Sequence, residues 1–179
     1  MKKNNFISVL ISLSIISLIF ISGCGKTQNN HKNQNASFKN DIDSTSSIKS
    51  NLTKNNNLWY VKGKLNSKSK SGFETYEFKK DGKANVYNVS KIYKTKNDAK
   101  NNHDLNKNGT LTYKIKNNNG KTSISFKGKM AGIPMTQSFK LKDTIDNKTE
   151  LPSKTKVFGY KINHDIDGDS MNRILIQPK

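Results

Sequence analysis

The chain has 179 residues, with 32 Lys and Arg against 13 Asp and Glu, giving a formal charge of +19. Its single cysteine excludes an intrachain disulfide framework. With histidines only at positions 31, 103 and 164, no Ser/His/Asp or metal-hydrolase spacing can be drawn, and no P-loop, dinucleotide fingerprint or internal repeat occurs. An enzyme is therefore not expected.

Lys2 and Lys3 precede an apolar stretch from Phe6 to Phe20 that is broken only by serines, the layout of a secretory signal. The stretch is shorter than the about 20 residues needed to cross a bilayer. Small residues follow at Ser22 and Gly23, and then Cys24. Ile21-Ser22-Gly23-Cys24 resembles the bacterial lipobox, which implies cleavage before Cys24, acylation of its thiol (palmitate among the acyl groups), and residence on the extracytoplasmic face of the cell membrane. Two or more acyl chains hold a protein stably, where one is marginal.

Removing residues 1–23 takes away two basic residues and no acids, leaving 30 − 13, or +17. Such a field attracts anionic lipid head groups and phosphate-rich envelope polymers. There is no basic helix or RNP-like aromatic cluster, which argues against nucleic acid.

From Gly25 to about Asn57 the composition turns to Asn, Lys, Ser, Thr and Gln, with Phe38, Ile42, Ile48 and Leu52 nearly the only sizeable apolar side chains. Too little can be buried to offset chain entropy, so residues 24–57 are expected to be a lipidated, disordered linker.

Residues 58–179 form one domain whose pattern has period two. Trp59, Val61 and Leu65 alternate with polar or aromatic neighbours, as do Leu111, Tyr113 and Ile115, then Ile124 and Phe126, then Met135, Gln137, Phe139 and Leu141, then Phe158, Tyr160 and Ile162. Each reads as a strand with one wet and one buried face. Asp81-Gly82 and Asn119-Gly120 mark hairpins of the type I′ kind, in which both central residues need positive φ. With strands at 73–79, 84–89 and 173–176 the tally is about eight, an all-β antiparallel meander that closes into a small barrel or folds into a sandwich. Lys91 to Asn108 lacks alternation and is expected to be a disordered loop, with a short helix near 98–105 as the alternative.

Trp59 at the head of the first strand, the hairpin Glu74-Thr75-Tyr76-Glu77-Phe78-Lys79-Lys80-Asp81-Gly82-Lys83, and Gly109-Thr110-Leu111-Thr112-Tyr113-Lys114-Ile115 leading into Ser123-Ile124-Ser125-Phe126 resemble bacterial lipocalin-like lipoprotein domains. The resemblance implies a barrel-like domain, sometimes holding a small apolar ligand, and no catalysis.

The inward set then includes Trp59, Tyr76, Phe78, Tyr113, Phe126, Met135, Gln137 and Phe139, which either line a ligand cavity or fill the barrel as its core. Gln137 stands out as an amide on an apolar face, suited to orienting a ligand or to bonding backbone at a barrel end. The link 129–135 carries more apolar surface than a turn needs, so Met130 and Met135 could form an adaptable rim. Asp165, Asp167 and Asp169 are oxygen ligands at alternate positions, as Ca²⁺ would want. Counted from Asp165, the sixth and twelfth positions are Ser170 and Ile176, not the Gly and Glu of an EF-hand, so a polar turn is the competing account.

These readings converge on a lipid-anchored binding module for a small apolar or peptide ligand, without cofactor. The alternative is an envelope interaction or immunity-type protein that recognises a partner through its basic outer surface.

Overall fold

The structure is a computed structural model that describes residues 38–39, 44–65, 70–147 and 156–179. The signal segment and Cys24 lie outside the described residues, as does most of the expected linker. Among the described residues, no helix is long and apolar enough to cross a membrane.

In chain order the elements are β1 (Phe38–Lys39), α1 (Thr45–Thr53), a 3-10 turn (Lys54–Asn56), β2 (Trp59–Lys62), β3 (Phe73–Phe78), β4 (Lys83–Val89), α2 (Lys96–Asn101), β5 (Asn106–Asn118), β6 (Lys121–Met130), β7 (Ile133–Asn147), β8 (Val157–Ile166) and β9 (Asp169–Pro178). Strands β2 to β9 pair antiparallel in the cyclic order β7-β6-β5-β4-β3-β2-β9-β8, and β8 returns to β7. The meander is thus a closed barrel of eight strands, and closure removes the exposed edges that a sandwich would leave. Where β7 runs past β6 after a bulge near 142–143, β1 pairs with it at Ile145 and Thr144.

The hairpin turns follow their residues. Asn119 and Gly120 both have positive φ, as do Ala131 and Gly132, and Asp167 and Gly168. The expected type I′ geometry at Asp81-Gly82 is not found, because only Gly82 has positive φ. There Lys79 and Lys83 pair, and the three residues between them turn with glycine in the left-handed position.

The barrel interior is packed. Trp59, Tyr76, Phe78, Leu111, Ile124, Phe139, Tyr160 and Leu175 are fully buried. The rings of Tyr76, Phe126 and Phe139 meet pairwise at centroid distances of 4.8–5.3 Å.

Two expectations are corrected. Residues 44–57, placed in the linker, are structured. Ile48 and Leu52 sit four apart on α1 and are fully buried in the barrel core, Ser44 caps the helix, and Trp59 Nε1 donates to the Leu52 carbonyl at 3.0 Å. The 91–108 segment, expected to be disordered, is ordered. Thr95 and Asp98 form a capping box on α2, and residues 106–108 extend β5. This segment has a partner because the outer face of β2, β4 and β9 is itself apolar. Tyr60, Tyr87, Val89, Ile174 and Ile176 form a second core with Tyr93 and Ala99. Tyr60 Oη donates to the Tyr93 carbonyl and accepts from its N–H. The Lys96 ammonium meets the buried Glu77 carboxylate at 2.6 Å, with Asn85 and Tyr87 also donating to it.

Candidate functional site

Strand β2 starts beside α1 at Trp59 and runs away from it, so Gly63, Glu74, His164 and Arg173 gather at the other barrel end. There a recess of about 390 Å³ opens, walled by Val61, Phe73, Ile166 and Met171 and carrying Lys62, Glu74, His164 and Arg173. Its size falls in the lower part of the small-ligand range, roughly 300–1,000 Å³.

Beneath Glu74 and His164 a chain of polar side chains joins the two. Tyr76 Oη donates to the Glu74 carboxylate. The Gln137 amide nitrogen donates to Tyr76 Oη at 2.6 Å, and Gln137 Oε1 lies 2.7 Å from His164 Nε2. An amide oxygen only accepts, so His164 carries its proton on Nε2 and Nδ1 is a bare acceptor. Among the described residues Nδ1 has no hydrogen-bond partner. His164 is 2 % exposed, and its ring stands edge-on to Phe139 at 4.6 Å. Burial, with the nearby Arg173 charge, pushes its pKa from 6.5 down to about 4, so the ring is neutral at physiological pH. Burial also raises Glu74 toward its neutral form, against the opposing pull of Tyr76 and Arg173.

Arg173 is the unbalanced group. Its Nε lies 3.1 Å from Met171 Sδ, and among the described residues no carboxylate lies within 4.0 Å of the guanidinium. Gly63 makes room for it, since a β-carbon there would sit 3.1 Å from a guanidinium nitrogen. Lys62 is buried, donates to the Leu65 carbonyl, and has its pKa lowered by burial.

Of the residues named from sequence, Trp59, Tyr76, Phe78, Tyr113, Phe126 and Phe139 are core, packed on one another. None of them lines the recess. Gln137 joins Tyr76 to His164 and does not bond backbone. Met130 comes within 3.9 Å of the Gln137 amide nitrogen, and Met135 is half-buried on the same strand. At the hairpin tip beyond them Ile133 is 69 % exposed, the one large hydrophobic so exposed among the described residues.

His164 lies on strand β8. The three aspartates follow one another through the β8–β9 hairpin. Asp165 accepts from the Gly168 N–H across the β8–β9 turn, and Asp167 accepts from Thr136. Among the described residues, no group of three or more metal-ligating His, Cys, Asp or Glu side chains forms. Glu74, His164 and Arg173 were missed as a set because Glu74 lies on β3, about 90 residues before the β8–β9 hairpin that carries His164 and Arg173.

The chain matches no family model, no curated protein and no solved structure. What its fold defines is a small closed antiparallel barrel, consistent with a lipocalin-like barrel, plugged by a helix at one end and recessed at the other.

Proposed function

We propose that this chain is a lipoprotein anchored through acylated Cys24 on the extracytoplasmic face of the cell membrane. Its barrel would be a non-enzymatic binding module that takes a small amphipathic acid head-first into the recess. The observation that carries this reading is Arg173. A guanidinium with no carboxylate within 4.0 Å among the described residues, beside a bare histidine acceptor and under an apolar wall, suits a ligand with an acidic group, a hydrogen-bond donor and an apolar body. Because the barrel interior is filled by aromatic rings, the ligand would sit at the mouth and not deep inside.

Calorimetric titration with decanoate and with decanol tests the reading. Decanoate should bind the native chain, Arg173→Met should abolish that binding, and decanol should bind neither. Equal affinity for acid and alcohol would contradict it. For the anchor, mass spectrometry of the native N-terminus should find a modified Cys24, and a Cys24→Ala chain that stays on the membrane would argue against acylation.

A further inference from the structure

The outer face of β5, β6 and β7 carries a regular arrangement of charge. Across the β5–β6 ladder Thr112 stands opposite Lys127, Lys114 opposite Ser125 and Lys116 opposite Ser123. Across β6–β7 Lys127 stands opposite Thr136, Ser125 opposite Ser138 and Ser123 opposite Lys140. Every lysine in this set therefore faces a hydroxyl, never another lysine, an arrangement that avoids the repulsion of like charges placed directly opposite.

None of Lys114, Lys116, Lys127 and Lys140 has a carboxylate within 4.0 Å among the described residues. By contrast Glu77, which lies under α2, is neutralised by Lys96. A groove of about 680 Å³ crosses the patch, lined by Thr112, Lys114, Ser125, Lys127, Thr136 and Ser138, with Asp165 the one acid at its edge.

We propose that this face binds a linear phosphodiester polymer. Lysines two apart on a strand repeat at roughly 7 Å and neighbouring strands at about 5 Å, so the ammonium groups and hydroxyls form a lattice of donors for successive phosphates. Phosphate oxygens accept from both donor types. The one aromatic residue that borders the groove, Phe126, is buried in the barrel core, so its ring is not presented for the stacking on which single-stranded nucleic acids rely. A groove also fits a strand-like polymer better than a flat lipid surface. This proposal is independent of the barrel mouth.

The test is fluorescence anisotropy of labelled poly(glycerol phosphate) with the full chain at several salt concentrations. One variant carries Lys114→Gln, Lys127→Gln and Lys140→Gln. A control loses the same charge elsewhere through Lys54→Gln, Lys80→Gln and Lys94→Gln. All six lysines are exposed, so both variants keep the fold. The first should lose affinity, and its log–log salt slope should shrink by about 2, while the control and Arg173→Met bind like the native chain. Three results would each overturn the proposal: no binding by the native chain, equal losses in both triple variants, or equally tight binding of a DNA oligonucleotide or an anionic vesicle of matched charge.

Discussion

The indole N–H of Trp59 donates to the carbonyl of Leu52 at 3.0 Å, and both residues are fully buried. This bond ties the last turn of α1 to the first residue of the barrel and makes the helix part of the core. A chain beginning at Leu58 should therefore be markedly less stable than one beginning at Phe38. The single change Leu52→Ala should cost about 2–5 kcal/mol by denaturant unfolding. A loss under 1 kcal/mol would mean that α1 is an ornament.

His164 sets the response to acid. Its pKa in the folded state is about 4, against 6.5 as the ordinary value. Above pH 6.5 both states are neutral and the full stability is present. As pH falls from 6.5 to 4 the unfolded chain takes up a proton that the folded chain refuses, so stability declines by at most roughly 3 kcal/mol. Glu77 adds a loss of the same sign. Burial raises its pKa, but donation from Lys96, Asn85 and Tyr87 prevails and lowers it, so its contribution fades as pH falls through the folded value. Unfolding midpoints measured across pH 4–7 should fall with acid, and His164→Asn should flatten the upper part of that slope.

The ion pair between Lys96 and Glu77 fastens α2 over the second core. Lys96→Met leaves a carboxylate that is 5 % exposed without its cation, whereas Glu77→Leu with Lys96→Met removes both charges. A double-mutant cycle should give a coupling of about 1–3 kcal/mol. Hydrogen exchange should show α2 opening first in Lys96→Met. Coupling near zero would leave the apolar contacts of Tyr93 and Ala99 as the whole attachment.

Gly159 on β8 pairs with Ile176 on β9, close against that strand's backbone. A β-carbon there would fall 2.1 Å from the Leu175 carbonyl oxygen and 2.8 Å from the Ile176 α-carbon, both backbone atoms. Gly159→Ala must separate the strands and should cost about 1–3 kcal/mol or more. Gly63→Ala meets only the mobile end of Arg173 and should cost less.

The barrel strands were legible because alternation such as Ile124 and Phe126 against Ser123 and Ser125 reports one buried face directly. The same rule misled at Tyr60, which alternates with Trp59 and Val61 and so sits on the face taken as wet. Apolar residues on both faces of β2, β4 and β9 were the signal that another segment covers that side of the barrel. Helix α1 was hidden by composition, since Ile48 and Leu52 are two apolar anchors in a polar stretch and their burial depends on a barrel end formed much later in the chain. Gln137 was visible as an amide on an apolar face. Its partners were not, because Tyr76 and His164 reach it through strand order, which periodicity does not encode.

On the proposed reading, the recessed end takes an acidic ligand on Arg173. The most direct measurement is a nuclear magnetic resonance titration of the isotope-labelled chain with decanoate, following the His164 ring and the Met171 and Ile166 methyl groups. Shifts should be confined to these groups and their neighbours, with a change at His164 Nδ1, and all should be lost in Arg173→Met. Shifts spread over the outer face of β5–β7, or unchanged by Arg173→Met, would contradict it.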